Sequence, residues 1–439
     1  MITSIVRYFW RYFKHDFFCR FTSQVCLSTV QLRGIVSVFI FKEIKDMPQD
    51  FDTHPKEENG FQAGEVFLIA NGHFIHDVYS AFLAPLLPLL IEKLSLTLTM
   101  AGSLSAFMQF PALLNPLIGG LADKSKARYF VAFAPAATAT LMGIMGLATS
   151  YYSLLVILLI AGISVAIFHA PAPAMVARVA GKRVGKAMGW FMAGGELGRT
   201  LGPIFAVWAV TTWTLEGMWR VAILGWVTSL LLFWKLKDIP VEKKEKSDFR
   251  AILPKLRAVF LPLILILLFR TFMTVSITTY LPIFMNLKGA SLWLAGASLS
   301  IMESAGVIGA LSVGTISDRV GRKKVFLVSA IFSPILILMF LQSSGWVLVP
   351  LLLLIGFTTL SIGPIFLALI QDHFPKNRAA ANGAYMFFAF LIRFPTTILV
   401  GFAGDKLGLE TAFFWSALLA FLVIPSIFLL PNEAKERIA

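Results

Sequence analysis

"KLKDIPVEKKEKSDFRAILPKLR", residues 235–257, is the one long charged stretch in an otherwise apolar body. A charge at the centre of a bilayer costs about 2.5–3.5 kcal/mol on insertion scales. So many charges together mark a loop between two membrane-embedded blocks. Composition agrees: of 439 residues, 57% are hydrophobic and 14% charged, with a mean hydropathy of +0.79, whereas a soluble domain carries about 25% charged residues. The chain reads as a polytopic membrane protein.

Working outward from the loop, a hydrocarbon core of about 30 Å needs about 20 helical residues. Apolar runs of that length fall at 64–91, 98–121, 129–149, 153–176, 187–210 and 217–236 before the loop, and at 257–286, 291–316, 325–343, 347–371, 379–403 and 409–430 after it. The expected fold is an all-α membrane protein of twelve transmembrane helices in two six-helix halves. The domains are an N-terminal extension (1–61), an N-terminal bundle (62–236), a cytoplasmic linker (237–256), a C-terminal bundle (257–431) and a tail (432–439).

The net charge of +14 does not point to nucleic acid, because the basic residues fall in short clusters between apolar runs. Alternate connections carry Lys124, Lys126 and Arg128, then Arg178, Lys182, Arg183 and Lys186, the linker, then Arg319, Arg322, Lys323 and Lys324, then Lys376 and Arg378, and the tail with Lys435 and Arg437. The opposite connections offer only Lys93, Arg220, Lys288 and Lys406. Basic loops stay cytoplasmic, so both ends of the twelve-span body are expected in the cytoplasm of a cell whose inner membrane holds the protein.

The first 61 residues fit less well. Residues 21–41 are mostly apolar, with Gln24, Gln31 and Arg33 inside, and a thirteenth span there would put the basic "VRYFWRYFKH" outside. A disordered or surface-lying extension is expected instead. Met47 opens "MPQDFDTHPKEENGF", a natural polar start, so residues 1–46 read as an upstream over-extension; a cleaved signal peptide fits less well. Both cysteines, Cys19 and Cys26, lie in this extension, which leaves the body without a disulfide framework or a Cys-based metal site.

A shift of 194 positions aligns the halves. Pro88 falls on Pro282, Ala101-Gly102 on Ala295-Gly296, Gln109 on Glu303, Gly120 on Gly314, His76 on Arg270, and "GWFMAGGELGR" (189–199) on "GAYMFFAFLIR" (383–393). Transporter halves are often such repeats, with the substrate site between them.

Within "NGHFIHDVYSAFLAPLLPLL" (71–90), His73, His76, Asp77 and Ser80 stand at i, i+3, i+4 and i+7, on one helical face. A polar stripe in lipid faces the bundle interior or water. Glu196 and Arg199 share a face of the fifth span, while Arg270, Glu303 and Arg393 come from the seventh, eighth and eleventh. These charges either neutralise each other as ion pairs, or a carboxylate that loses its partner takes up a proton. Asp77, flanked by His73 and His76, is the first candidate for proton coupling; Glu303 and Glu196 follow. Arginine holds carboxylate or phosphonate groups with its planar fork. The substrate-binding candidates are therefore Arg199, Arg270 and Arg393, with Gln109 and His169. Arg199 and Arg393 are repeat partners, set to clamp an anion across a cavity. Zinc at His73, His76, Asp77 and His169 is weakly supported, since zinc needs a closed ligand set and spacing alone does not supply one. No metal, cofactor or catalytic constellation is expected.

After the second span stands "GGLADKSKAR" and after the eighth "GTISDRVGRKK". Here the chain resembles the major facilitator superfamily, whose signature G-x-x-x-D-R/K-x-G-R/K-R/K is matched throughout by Gly314, Asp318, Arg319, Gly321, Arg322 and Lys323. The first copy keeps Gly119, Asp123, Lys124 and Arg128, with Lys126 where the pattern has Gly. The resemblance implies two pseudo-symmetric halves around a central cavity, with these residues as a conformational latch: Gly for close helix approach, Asp and the basic residues to pair with a neighbouring helix end. "GGELGRTLGPIFA" (194–206) resembles the antiporter motif of superfamily exporters at Gly198, Gly202 and Pro203; the alternative is a glycine packing face. "HDVYSAFLAPLLPLL" with "FHAPAPAMVARVAGKRVGKAMG" (168–189) is similar to the fosmidomycin-resistance branch. That resemblance implies proton-driven efflux of a small, anionic compound by a protein expected as a monomer. The alternatives are an importer of an organic anion on the same fold and, from another class, a membrane sensor or intramembrane enzyme.

Overall fold

Prolines decide where the helices bend. In the computed structural model, which describes residues 60–115, 118, 127–236, 253–374 and 378–431, every one of the twelve predicted stretches is occupied by helix, and no strand occurs among the described residues. The expectations for residues 1–59, for the latch residues Gly119, Asp123 and Lys124, for most of the linker and for the tail lie outside them.

The N-terminal half runs α1 (Ala63–Ser80), α2 (Leu83–Leu94), α3 (Leu98–Gln109), α4 (Ala127–Ile144), α5 (Tyr151–His169), α6 (Ala172–Val179), α7 (Val184–Gly217) and α8 (Ala222–Lys235). The C-terminal half runs α9 (Leu253–Val275), α10 (Leu281–Leu287), α11 (Leu292–Val320), α12 (Arg322–Gln342), α13 (Leu348–Leu360), α14 (Gly363–His373), α15 (Arg378–Leu407), α16 (Leu409–Ala420) and α17 (Val423–Phe428). Among the described residues, ten helical stretches are long and apolar enough to cross a membrane, and a shorter one, Leu98–Leu114, occupies the second predicted span. One of the ten, Val184–Lys235, holds two predicted spans, because Thr214 at φ 64° and a 3-10 turn at Met218–Val221 reverse the chain between α7 and α8.

Several predicted spans are not straight. A proline ring clashes with the carbonyl four residues back and supplies no N–H. Pro85 accordingly acts on Ala81, where α1 gives way to α2; Pro364 acts on Leu360, where α13 gives way to α14; Pro425 acts on Phe421, before α17. Pro282 follows a π-turn at Ser276–Tyr280 between α9 and α10. Large apolar side chains such as Ile223, Ile308 and Phe428 stay exposed around the outside, as lipid-facing helices require.

Packing repeats between the halves. In each half the first span packs on the fifth (α1 on α7, α9 on α15), the second on the fourth (α3 on α5, α11 on α13) and the third on the sixth (α4 on α8, α12 on α16). The halves meet along α7 with α11 and along α3 with α15, two contacts that the pseudo-symmetry interchanges.

Candidate functional site

Glycine spacing brings α1 and α7 together. Gly194, Gly198 and Gly202 recur every fourth residue on α7 and lie against the α1 backbone at Ala70, Phe74 and Val78. A methyl group at Gly198 would come within 2.5 Å of the Phe74 carbonyl oxygen, and one at Gly202 within 2.6 Å of that of Val78. The glycines of the antiporter-like motif thus act here as a packing face, with Pro203 buried beside them.

That close approach seats the α1 histidines in an aromatic pocket. His73 stacks on Phe191 with ring centroids 4.0 Å apart, and His76 stacks on Phe168 at 4.4 Å. The His73 Nδ1–H donates to the Phe191 carbonyl at 2.8 Å, which turns Nε2 toward Asp77 Oδ2 at 3.4 Å. His169, the last residue of α5, places its Nε2 3.2 Å from Asp77 Oδ1. This is ion-pair distance without hydrogen-bond alignment, since Asp77 Oδ1 has no hydrogen-bond partner. Both ring nitrogens of His76, which is fully buried, also lack one. The four predicted residues are therefore brought together, and all four belong to the N-terminal half.

A second polar group lies where the halves meet. Glu196 pairs with Arg199 at 2.5 Å, one turn apart on α7. Arg393 on α15 forks between the halves: Nε donates to Gln109 Oε1 at 2.5 Å on α3, and Nη2 to Thr278 Oγ1 at 3.0 Å in the π-turn. Glu303 on α11 lies within electrostatic reach of Arg199, Glu196 and Arg393. Arg199 is thus engaged by Glu196, and Arg393 by Gln109 and Thr278. Arg270 stands apart in the C-terminal half, donating to the Thr359 carbonyl with its guanidinium 5.8 Å from the Phe366 ring. Its repeat partner His76 likewise lies against a phenylalanine of its own half's fourth span.

Of the latch, the complete copy can be followed. Arg322 joins Asp318 (3.4 Å) to Asp372 in the last turn of α14 (2.6 Å). Lys323 donates to the Leu430 carbonyl beyond the end of α17, a pairing with a helix end, at 2.7 Å. Arg319 is exposed, and Arg128 donates to the Leu236 carbonyl at 3.4 Å. At Gly314 a methyl group would meet nothing within 4 Å among the described residues. The glycine that geometry demands is Gly321, which turns α11 into α12 at φ 102°, a region L side chains avoid.

Sequence reading missed the contacts at the far end of the bundle, opposite the latch. The Asp405 carboxylate accepts from Leu98 N (2.7 Å), Thr99 N (2.8 Å) and Thr99 Oγ1 (2.5 Å), so a residue of the C-terminal half caps the start of α3. Tyr280 donates to the Thr397 carbonyl at 2.7 Å beside the same place. Lys93 pairs with Glu216 at 2.7 Å, and Lys288 with Glu410 at 2.6 Å, the same ion pair in each half. The repeat holds a signal for the latter pairs that was not read: shifted by 194 positions, Glu216 falls on Glu410 and Lys93 falls one residue short of Lys288.

A family model described as Major Facilitator Superfamily matches residues 69–397 and again 305–438. The fosmidomycin resistance protein of Escherichia coli K12 is 26% identical over 383 residues, which cover 84% of this chain and 93% of that protein. The uncharacterized MFS-type transporter YfnC of Bacillus subtilis 168 is 25% identical, covering 85% and 94%. The multidrug resistance protein MdtG of Salmonella paratyphi B is 26% identical, covering 65% and 74%. Among solved structures, nucleoside transporter NupG superposes with a TM-score of 0.70 at 14% identity, covering 84% of this chain and 100% of that one. A D-xylose-proton symporter superposes at 0.67 and 15% identity, covering 84% and 98%. These superpositions establish a shared fold.

Proposed function

Because the chain belongs to the Major Facilitator Superfamily, and is therefore a multi-pass membrane transporter and not an enzyme, we propose that it is a proton-coupled antiporter. It exports a small, anionic organic compound across the cell inner membrane by alternating access. The observation that carries this is that Glu303 on α11 lies within electrostatic reach of an arginine from each half, Arg199 on α7 and Arg393 on α15. A proton carrier must sense whether the halves are together or apart. In general a carboxylate gives up its proton beside a cation and keeps it when buried without one. Glu303 changes its cationic neighbours whenever the halves rock, whereas Asp77 has partners from its own half only. Glu303 therefore replaces Asp77 as first candidate, with Glu196 as its acidic neighbour.

Arg199 and Arg393 supply the anion-binding groups, since a substrate carboxylate or phosphonate can displace Glu196 from one and Gln109 from the other. The basic connections put the latch face in the cytoplasm. Export is supported by relatives named for resistance to fosmidomycin and to multiple drugs. In cells with and without the gene, a panel of anionic compounds that includes phosphonates should reveal resistance on expression; increased sensitivity would mean uptake instead. In proteoliposomes loaded with the compound so found, Glu303→Gln should lose transport driven by a pH gradient and keep exchange of compound for compound. Gradient-driven transport by that variant at the wild-type rate would sink the assignment of Glu303.

A further inference from the structure

Two lone-pair atoms face each other in the middle of the N-terminal half. His73 has committed its Nδ1–H to the Phe191 carbonyl, so in the neutral ring Nε2 carries a lone pair. That lone pair points at a carboxylate oxygen of Asp77, 3.4 Å away. His169 Nε2 approaches the other oxygen at 3.2 Å, and that oxygen has no hydrogen-bond partner although Asp77 is only 2% exposed. The arrangement is complete only with positive charge among the three side chains. Two imidazoles from two helices converge on one carboxylate: His169 can meet it as the neutral Nε2–H tautomer, but His73 meets it only with a proton added or with a cation between them. A divalent ion answers both and neutralises the carboxylate as well.

We propose that His73, Asp77 and His169 bind one divalent transition-metal ion of the zinc and cobalt class, which ties α1 to α5. The distances suit it. In tetrahedral coordination with bonds of about 2.0–2.1 Å the ligand atoms stand about 3.3–3.4 Å apart; each imidazole is already about that close to one oxygen of Asp77, His73 to Oδ2 and His169 to Oδ1, so the carboxylate turns one oxygen to the ion or chelates it with both. One ligand atom from each of the three lies within 4.8 Å of the others, so closing the set asks only for a small swing of His169. That side chain can swing, being 32% exposed at the end of α5, before the turn at Ala170 and Pro171. The bond from His73 Nδ1 to a backbone carbonyl is the outer contact that metal-bound histidines usually make, fixing the tautomer and raising ligand basicity. Two imidazoles and a carboxylate with an open fourth position favour zinc, cobalt or nickel over magnesium or calcium, which prefer oxygen ligands. None of the ligands belongs to the C-terminal half, so the ion rides with one bundle and is a resident, not cargo.

From the sequence, zinc at these residues together with His76 was only weakly supported, because spacing does not place the end of α5 beside the middle of α1. The test needs no substrate. The full-length protein, freed of any affinity tag and stripped with chelator in detergent, is titrated with Co2+ and followed by visible absorption. One equivalent should bind with the d–d bands of a low-coordinate nitrogen and oxygen site, and Zn2+ should bleach them. Zn2+ should also raise the thermal midpoint. Asp77→Asn and His169→Asn should each abolish the bands and the thermal shift. The double variant Cys19→Ser with Cys26→Ser should retain both, which separates the site from the thiol ligands of the N-terminal extension. Should Asp77→Asn fail to fold, His169→Asn decides, because that side chain is partly exposed and its loss leaves the core filled. No bound equivalent in the wild type, or bands unchanged in His169→Asn, overturns the proposal.

Discussion

Gly195 sets the size of the histidine pocket. A methyl group there would run into the His73 imidazole, with its nearest contacts all on that ring. His73 has little room to retreat, being stacked on Phe191 and bonded to its carbonyl. Overpacking a tight site typically costs about 1–3 kcal/mol. Gly195→Ala should therefore lower thermal stability by that amount and weaken Co2+ binding, as measured by thermal unfolding in detergent and by titration. Gly189→Ala is the control on the same helix: nothing lies within 4 Å of a methyl group there, and alanine is the better helix former by about 1 kcal/mol. That variant should be neutral or slightly more stable. Equal losses from the two substitutions would show that steric conflict at His73 is not what matters. At this scale the sequence was informative about which polar residues share α1, because helical spacing is local. It was silent on which atoms they bond, because Phe191 and His169 reach His73 and Asp77 only through packing.

At the level of elements, the cap of α3 by Asp405 is the contact that closes the far end. The first N–H groups of a helix have no partner within it and attract negative charge. Here the partner comes from the other half of the molecule, at the end of α15, and Gly102 and Gly401 let the two helices approach beside Tyr280. Such a bond must break whenever this end opens. A hydrogen bond to a charged group is worth about 1.5–3 kcal/mol, which corresponds to a shift of about tenfold or more in a two-state equilibrium. Asp405→Asn should move the population toward the state open at that end. With Cys19 and Cys26 replaced by serine, a single cysteine at Phe107, which packs edge-on to Phe394 of the other half, reports the change. An impermeant thiol reagent added outside intact cells should label it several-fold faster in the Asp405→Asn background; an unchanged rate would remove Asp405 from the gate. The apolar runs had made the helices legible, though not their bends. The cap was hidden because Thr99 and Asp405 are 306 positions apart and meet only when α3 lies on α15.

The molecule as a whole follows from one charged linker and one internal shift. The linker separates the halves, and the shift of 194 positions anticipates that each half repeats the other's helix pairings. What it could not anticipate is which end is joined in the conformation seen. The bonds from Asp405 and from Tyr280 to Leu98 at the start of α3 tie the far end, while Arg199 remains 44% exposed in the middle of α7. On the proposed orientation, with the basic connections cytoplasmic, the joined end is the outer one and the central charges are to be reached from within. A mechanical consequence follows. If the halves rock as rigid bodies about the contacts of α7 with α11 and α3 with α15, joining Thr99 to Asp405 covalently must hold the outer end shut. A ligand with equal affinity for both states shifts nothing, but a tether that exists in only one state traps that state outright. Thr99→Cys with Asp405→Cys, in a chain whose Cys19 and Cys26 are serine, should react with a short cleavable bis-thiol reagent. Transport in proteoliposomes should then stop, and return when the linker is cleaved. Binding of the transported anion from the cytoplasmic side should survive the cross-link, because Arg199 and Arg393 stay where they are. Full transport by the cross-linked protein would mean that the far end never opens, and that the route between the halves lies elsewhere.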